Sequence, residues 1–395
     1  MAVNPVVTMP APAPTRCQAC DASELHEIAG FPQLPRVTSD SKPFRSGGRL
    51  FVCMGCGLVQ KIADGLWLAE INEIYRDYEM YHQSSANDQM VFDPLSGRPS
   101  GRCSVLARHL LQSGVLPVQG TLLDVGAGSG AMLGAFSQAS SVWRLFGLDL
   151  DSRKEPALKA IPRFEKLYTA APDQLSQQFD LLTLIHSLEH FAEPLAMLRT
   201  LGSRMNAGGH LFVQVNNAGI TPFDLVVADH LCHFTPETLA AMTARAGLNA
   251  ALLKTDWVHK EISLLASAGA GPSAPHPHDP RQALERTRED VGWLTGMLNH
   301  ALKSSQTGRF AIFGTSVAAT WLAHGLGGNV EFFVDEDPAR EGHTHMGRPI
   351  LKPAEVPAGV TVYLAFVQTV AQSIRNRLRG LSIALVSPAD AKGQG

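Results

Sequence analysis

Three groups of residues in this chain have types and spacings that could do chemistry. Four of the six cysteines stand as matched pairs, Cys17 and Cys20 in CQAC, and Cys53 and Cys56 in CMGC. Each C-x-x-C sets two thiols on one tight turn. Two such turns complete the tetrahedral thiolate set that Zn²⁺ prefers. Sulfur fills every corner, so the expected metal is structural, with no open coordination position. The second group is LLDVGAGSG, where Asp124 precedes Gly126, Gly128 and Gly130. Glycines at this spacing let a strand turn tightly into a helix and let backbone approach a ligand. The third group is VVADHLCHFTPETL, with Asp229, His230 and His233 ahead of a helix start. Histidine titrates near neutral pH and suits proton transfer. Thr235 is a good N-cap and Pro236 fits the first helical position. The helix is therefore expected to start at Thr235, leaving both histidines in the preceding loop. The two remaining cysteines, Cys103 and Cys232, read as small core residues.

The elements that must position these groups alternate between strand and helix. An apolar strand over Thr121–Val125 enters the glycine turn and leads to a helix over Ala131–Phe136. The next strand, WRLFGLD, ends at Asp149, where an acid can accept both hydroxyls of a ribose. FDLLTLIHS is a fourth strand ending near His186, followed by LEHF with His190 and then by a helix. NAGGHLFVQVNN supplies a fifth strand, and AALLKTD with KEISLLAS a closing antiparallel pair. This alternation predicts a doubly wound parallel sheet. Before it, residues 102–113 predict an amphipathic helix. IYRDYEMYHQSS carries Tyr75, Tyr78 and Tyr81 at a spacing of three. As a lid, Tyr75 and Tyr78 would face an acceptor and Tyr81 a cofactor; as packing, the three would form an aromatic face on the next domain.

After the Pro/Gly/Ala/His linker SAGAGPSAPHPHDP, a helix leads into RFAIFGTSVAATWLAHGL, again strand, glycine turn and helix. The expected organisation is a lead-in over 1–14, a zinc-binding module over 15–63 and a helical connector or lid over 64–118. The cofactor domain follows over 119–268, then linker and helix over 269–306 and a smaller Rossmann-like α/β module over 307–395. The cysteine module has few apolar residues of its own and needs a metal staple.

Composition narrows the function. A net charge of −3 over 395 residues gives no basic face for nucleic acid. The first cysteine turn, CQACDASELHEIAGF, carries more acid than base. No apolar run reaches the roughly 20 residues needed to cross a bilayer. The first residues, MAVNPVVTMPAPAPT, lack the basic and apolar regions of a signal peptide. A cytoplasmic location, with reduced thiols, is the expectation.

LLDVGAGSG, the acidic strand end at Asp149, FDLLTLIHSLEH and NAGGHLFVQV, in this order, resemble class I S-adenosylmethionine-dependent methyltransferases. The acid before a G-x-G-x-G turn fits that family better than a nicotinamide site, which favours G-x-G-x-x-G. The resemblance implies a Rossmann-like core. In it Asp124, Gly126, Gly128 and Gly130 line the methionine and ribose part of the cofactor, and Asp149 binds the ribose hydroxyls.

Over nearly the whole chain, the domain order resembles the zinc-containing sugar C-methyltransferases, which act on nucleotide-linked keto-deoxysugars. His230 falls on that family's basic histidine and Asp229 on its acid, while Val227 stands at its tyrosine position. His186 stands at an asparagine position, and VHKE contributes His259 and Glu261. The resemblance implies His230 as base with Asp229 as its acid, and His233, three residues on, is a further catalytic candidate by its spacing. His186 is a candidate contact of the cofactor, and His190, His259 and Glu261 are candidate contacts of the acceptor. The lysine that family carries in its C-terminal glycine turn is absent from GTSVAAT. The expected partners are S-adenosylmethionine, structural Zn²⁺ and a small-molecule acceptor, a nucleotide sugar. O- or N-methylation of another glycan or natural product stays open beside C-methylation, as does a cofactor-holding zinc protein without turnover.

Overall fold

The computed structural model describes residues 16–76, 88–93, 98–269 and 279–388. The lead-in over 1–14, Tyr78, Tyr81 and the linker histidines lie outside the described residues.

A seven-stranded sheet forms the centre of the chain. Its strands are β1 (Gly120–Val125), β2 (Trp143–Leu148), β3 (Phe164–Tyr168), β4 (Phe179–Ile185), β5 (Met205–Asn216), β6 (Leu248–Lys254) and β7 (Glu261–Ala268). The spatial order is β3-β2-β1-β4-β5-β7-β6. The first five strands run parallel. β7 pairs antiparallel with both β5 and β6, giving the expected closing pair at one edge.

Both faces of the sheet are covered, because alternate residues point to opposite sides and both sets are apolar. Leu122, Leu145, Leu181 and Phe212 pack with Leu106 of the helix Arg102–Gln112 and with Phe136 of the helix Ala131–Ala139. Leu123, Phe146, Leu182 and Val213 face the other way, towards Leu198 and Leu239. The order of connection reverses between β1 and β4, so a crevice opens at their carboxyl ends. The glycine turn, Asp149 and His186 all lie on that rim.

The cysteine module does not stand apart. Its strands Leu25–Glu27, Phe51–Cys53 and Val59–Gln60 form an antiparallel sheet completed by Cys232–His233, from the segment after β5. Cys232 lies opposite Gln60, and His233 opposite Val59. The expectation that both histidines lie in an open loop is corrected for His233, which this distant pairing draws into a strand. Thr235 caps the helix Pro236–Arg245 as expected, in a reciprocal capping box with Thr238. Cys17, Cys53, Leu58 and Trp67 join the same apolar cluster as Leu123 and Leu182. One side of the module's core is therefore shared with the central sheet.

The connector is also more than helical. After the helix Gly65–Arg76 it includes a two-stranded hairpin, Met90–Asp93 with Arg98–Gly101. The C-terminal unit is a six-stranded sheet, parallel except for one short edge strand, Thr344–His345. Its helices Pro280–Ser305 and Val317–Gly325 share a core with Phe31, Leu34 and Val37 of the cysteine module. Trp321 Nε1 donates to the Pro35 carbonyl at 2.8 Å. Among the described residues, no helix is long and apolar enough to cross a membrane.

Candidate active site

The cofactor crevice begins at the turn after β1. Gly128 and Gly130 have φ of +51° and +82°, in the left-handed region that disfavours a Cβ. A Cβ on Gly130 would come within 2.5 Å of Leu158. One on Gly128 would meet nothing closer than 3.9 Å, so that side of the turn is open to an approaching ligand. The Gly128 N–H donates to Asp149 Oδ2 at 2.7 Å, and Asp149 Oδ1 accepts from the Asp151 N–H at 2.9 Å. A carboxylate held in this way at the end of β2 suits a ribose diol. Asp124 is set deeper. Its Oδ1 accepts the Thr183 hydroxyl of β4 at 2.6 Å, and burial raises its pKa to about 7 against that bond. It therefore braces β1 against β4 beneath the turn.

Asp149→Ala should leave the fold intact and weaken S-adenosylmethionine binding by about 10- to 100-fold, the worth of a hydrogen bond or two to a charged group. Isothermal titration of the variant measures this, and wild-type affinity would remove Asp149 from the site.

A cavity of about 620 Å³ lies beside the crevice, within the usual range for ligand pockets. His186, His190, His230, His259, Glu261 and Arg102 line one wall. Ser39–Ser41 of the cysteine module and Gly314–Val317 of the C-terminal module line others. Three modules thus enclose one space.

Around His186 the sequence concentrates buried charge. The residue has φ of +48°, which turns the chain sharply at the end of β4. Its Nδ1 lies 3.3 Å from Glu189 Oε1, and its Nε2 lies 3.2 Å from Glu261 Oε2. Arg102 Nε lies 3.0 Å from Glu261 Oε1, and Gln214 Nε2 donates to Glu261 Oε2 at 2.6 Å. Burial opposes a charge on His186 and Arg102 adds to that, yet Glu261 and Glu189 prevail and raise its pKa to about 9. Burial would likewise raise Glu261, but Arg102 and His186 bring it down to about 2. His186 is thus an imidazolium at neutral pH. It is clamped into a buried ion cluster on the cavity wall. Glu261, expected at the acceptor, is mainly a counter-ion in this cluster.

His230 is buried on the cavity wall, with Nδ1 2.8 Å from Asp224 Oδ1. Burial opposes its protonation, but the Asp224 carboxylate outweighs this and holds its pKa above the ordinary 6.5. His190 stands edge-on to His230, ring centroids 4.8 Å apart, with Nδ1 3.0 Å from the Asp229 carbonyl. Tyr75 lies next to His190, centroids 6.2 Å apart. His259 is exposed at the cavity mouth.

Two expectations need correction here. Asp229 does not orient His230. Its carboxylate turns to the cysteine module, accepting from the Ser39 N–H at 2.8 Å and the Ser39 hydroxyl at 2.5 Å. His233 does not line the cavity. It is buried, with Nδ1 2.7 Å from Asp224 Oδ2 and Nε2 3.0 Å from Lys61 Nζ. Burial and the nearby Lys61 lower its pKa to about 4. Asp224 and Lys61 were not singled out from the sequence. The only signal for Asp224 was an acid six residues before His230 in FDLVVADH.

The four cysteine sulfurs converge, with every pair of Sγ atoms within 4.8 Å. Cys17 and Cys56 lie 3.6 Å apart, and Cys20 and Cys53 lie 3.5 Å apart. Thiolates about 2.3 Å from a tetrahedral Zn²⁺ stand about 3.8 Å from one another, so this donor set fits that ion. Hydrogen bonds from Cys17 and Cys56 hold the Cys53 thiol well below its ordinary range.

Residues 98–253 match a family model described as a methyltransferase domain. Over 128 residues the chain is 29% identical to the ubiquinone biosynthesis O-methyltransferase of Vibrio vulnificus (strain YJ016). It is 30% identical to the enzyme of that name from Aliivibrio fischeri (strain ATCC 700601 / ES114). Each match covers 29% of this chain and 53% of the relative. The chain thus spans about half the length of the curated relatives it matches. Among solved structures, the mitomycin 7-O-methyltransferase MmcR aligns over 42% of this chain and 53% of that one, at 16% identity and a TM-score of 0.38. Residues 98–253 are a methyltransferase domain of the S-adenosylmethionine-dependent class.

Proposed function

We propose that this chain transfers a methyl group from S-adenosylmethionine to a carbon of a nucleotide-linked keto-deoxysugar, with His230 as the base. The cavity carries this reading, because it joins His230 to the glycine turn of the C-terminal module. One end suits a reacting sugar and the other a nucleotide. In that module the helix Val317–Gly325 starts at Ser316 without a side-chain cap, so its first N–H groups can face an anion. Asp335, after the next strand, accepts from the Thr315 hydroxyl and the Asp337 N–H at 2.9 and 3.0 Å. Asp149 accepts in the same way from the Asp151 N–H in the cofactor crevice. The repeated arrangement supports nucleoside binding despite the missing lysine.

When bound, the cofactor supplies an activated methyl on sulfonium. The chain must align the acceptor, exclude water and handle a proton. His230, neutral, takes the proton from the carbon beside the ketone. Cys17, Cys20, Cys53 and Cys56 would hold a structural Zn²⁺, which ties the base-bearing segment to its neighbours.

The test is exchange at carbon. With a thymidine-diphosphate 4-keto-6-deoxysugar, full-length protein in D₂O without methyl donor should place deuterium beside the ketone. His230→Gln should not. Absence of exchange, together with methyl transfer to a hydroxyl of any acceptor, would overturn C-methylation. It would favour the second reading, O-methylation of another small molecule, which the names of the matched relatives support.

A further inference from the structure

We propose that Asp224, His233 and Lys61 form a buried relay that fixes the position and tautomer of His230, making the cysteine module a working part of the site. This rests on the reading of His230 as the base. The argument begins at Lys61, which follows the strand Val59–Gln60 and is buried. Its ammonium has three hydrogens, and three acceptors surround it. These are the carbonyl oxygens of Val227 and His230, at 2.8 and 2.7 Å, and His233 Nε2 at 3.0 Å.

The direction of each hydrogen bond follows. If His233 Nε2 accepts from Lys61, the His233 proton sits on Nδ1 and is donated to Asp224 Oδ2, 2.7 Å away. Asp224 is then an ionised acceptor. Its Oδ1 accepts from Asn216 Nδ2 at 2.9 Å and from His230 Nδ1 at 2.8 Å. His230 therefore carries its neutral-state proton on Nδ1, leaving the Nε2 lone pair for the cavity. A base needs this tautomer, and an acid held behind an imidazole enforces it. Lys61 also holds the backbone on both sides of Asp229 through its two carbonyl contacts. Asp224 and Lys61 are thus positioning residues, acting through His230, and His233 is the link between them.

Asp224→Asn keeps the shape but offers one oxygen and one N–H donor, so it cannot accept from both imidazoles and the paired tautomers of His230 and His233 are lost. Lys61→Met keeps the stem and removes the donors. The experiment uses full-length protein labelled with ¹⁵N-histidine, with His230→Gln to assign the His230 signals. It reads the imidazole nitrogen resonances, kcat, and the KM for S-adenosylmethionine. Asp224→Asn should move the proton of at least one of the two imidazoles, His230 or His233, from Nδ1 to Nε2 and lower kcat by about 100-fold or more, with KM unchanged. Lys61→Met should perturb the His233 and His230 resonances and lower kcat by about tenfold or more, as loss of an outer orienting partner does. Its content of cysteine-bound metal should stay the same. Wild-type resonances and kcat in Lys61→Met would overturn the relay, even if Asp224→Asn failed to fold. If His230→Gln kept turnover, the base reading would fall instead, and the resonances would still decide the relay.

Discussion

His230→Ala is expected to lower kcat by about 10²- to 10⁴-fold, the usual worth of a general base, with S-adenosylmethionine affinity unchanged. The residue lies on the cavity wall and is not part of the glycine turn that would hold the cofactor. The pH dependence follows from its surroundings. Burial disfavours the imidazolium, but the Asp224 carboxylate 2.8 Å away more than compensates, so the pKa lies above 6.5. A base works in its neutral form. Activity should therefore fall as pH drops through that raised pKa, putting the acid limb of kcat above pH 6.5 rather than at it. Profiles of kcat against pH for wild type and His230→Gln test the assignment. An unchanged acid limb in the variant would move the base elsewhere, with His190 next in line on the same wall.

Removing the metal from the cysteine site is expected to cost more than about 4 kcal/mol of stability, the range in which loss of a bound metal falls. It should also abolish turnover. The stability effect follows from the shared core. Cys17 and Cys53 are buried in the cluster that includes Leu123 and Leu182, so without the ion nothing would tie the two cysteine turns together beneath the central sheet. The turnover effect follows from the strand pairing. Val59–Gln60 holds Cys232–His233, and Asp229 is anchored on Ser39. Metal analysis should find one Zn²⁺ per chain. A strong chelator or Cys53→Ser should lower the melting temperature and kcat together. A protein without zinc whose melting point ignores Cys53→Ser would sink the assignment.

Much of this architecture is legible in short windows of sequence. Two cysteine pairs, a glycine turn after an apolar strand and a Thr-Pro-Glu-Thr helix start each specify their geometry within a few residues. The local rules of turns, caps and strand periodicity therefore suffice to read them. Asp149 was readable too, because its distance from the glycine turn follows from one strand–helix–strand unit.

The function of the polar residues in the cavity was decided elsewhere. Lys61 and His233 meet across 172 residues, Ser39 and Asp229 across 190, and Gln214 and Glu261 across 47. None of these pairs leaves a local pattern, since a single hydrogen bond between distant segments changes neither propensity nor periodicity. The sequence alone therefore determined the glycine turn after β1, the convergence of the cysteine pairs and the helix start at Thr235. Only the tertiary structure decided that Asp224 rather than Asp229 stands behind His230, that His233 is a buried link, and that His186 is an ion-paired cation. These choices depend on which side chains share a low-dielectric space, where burial and neighbouring charge set protonation, and chain order does not contain that.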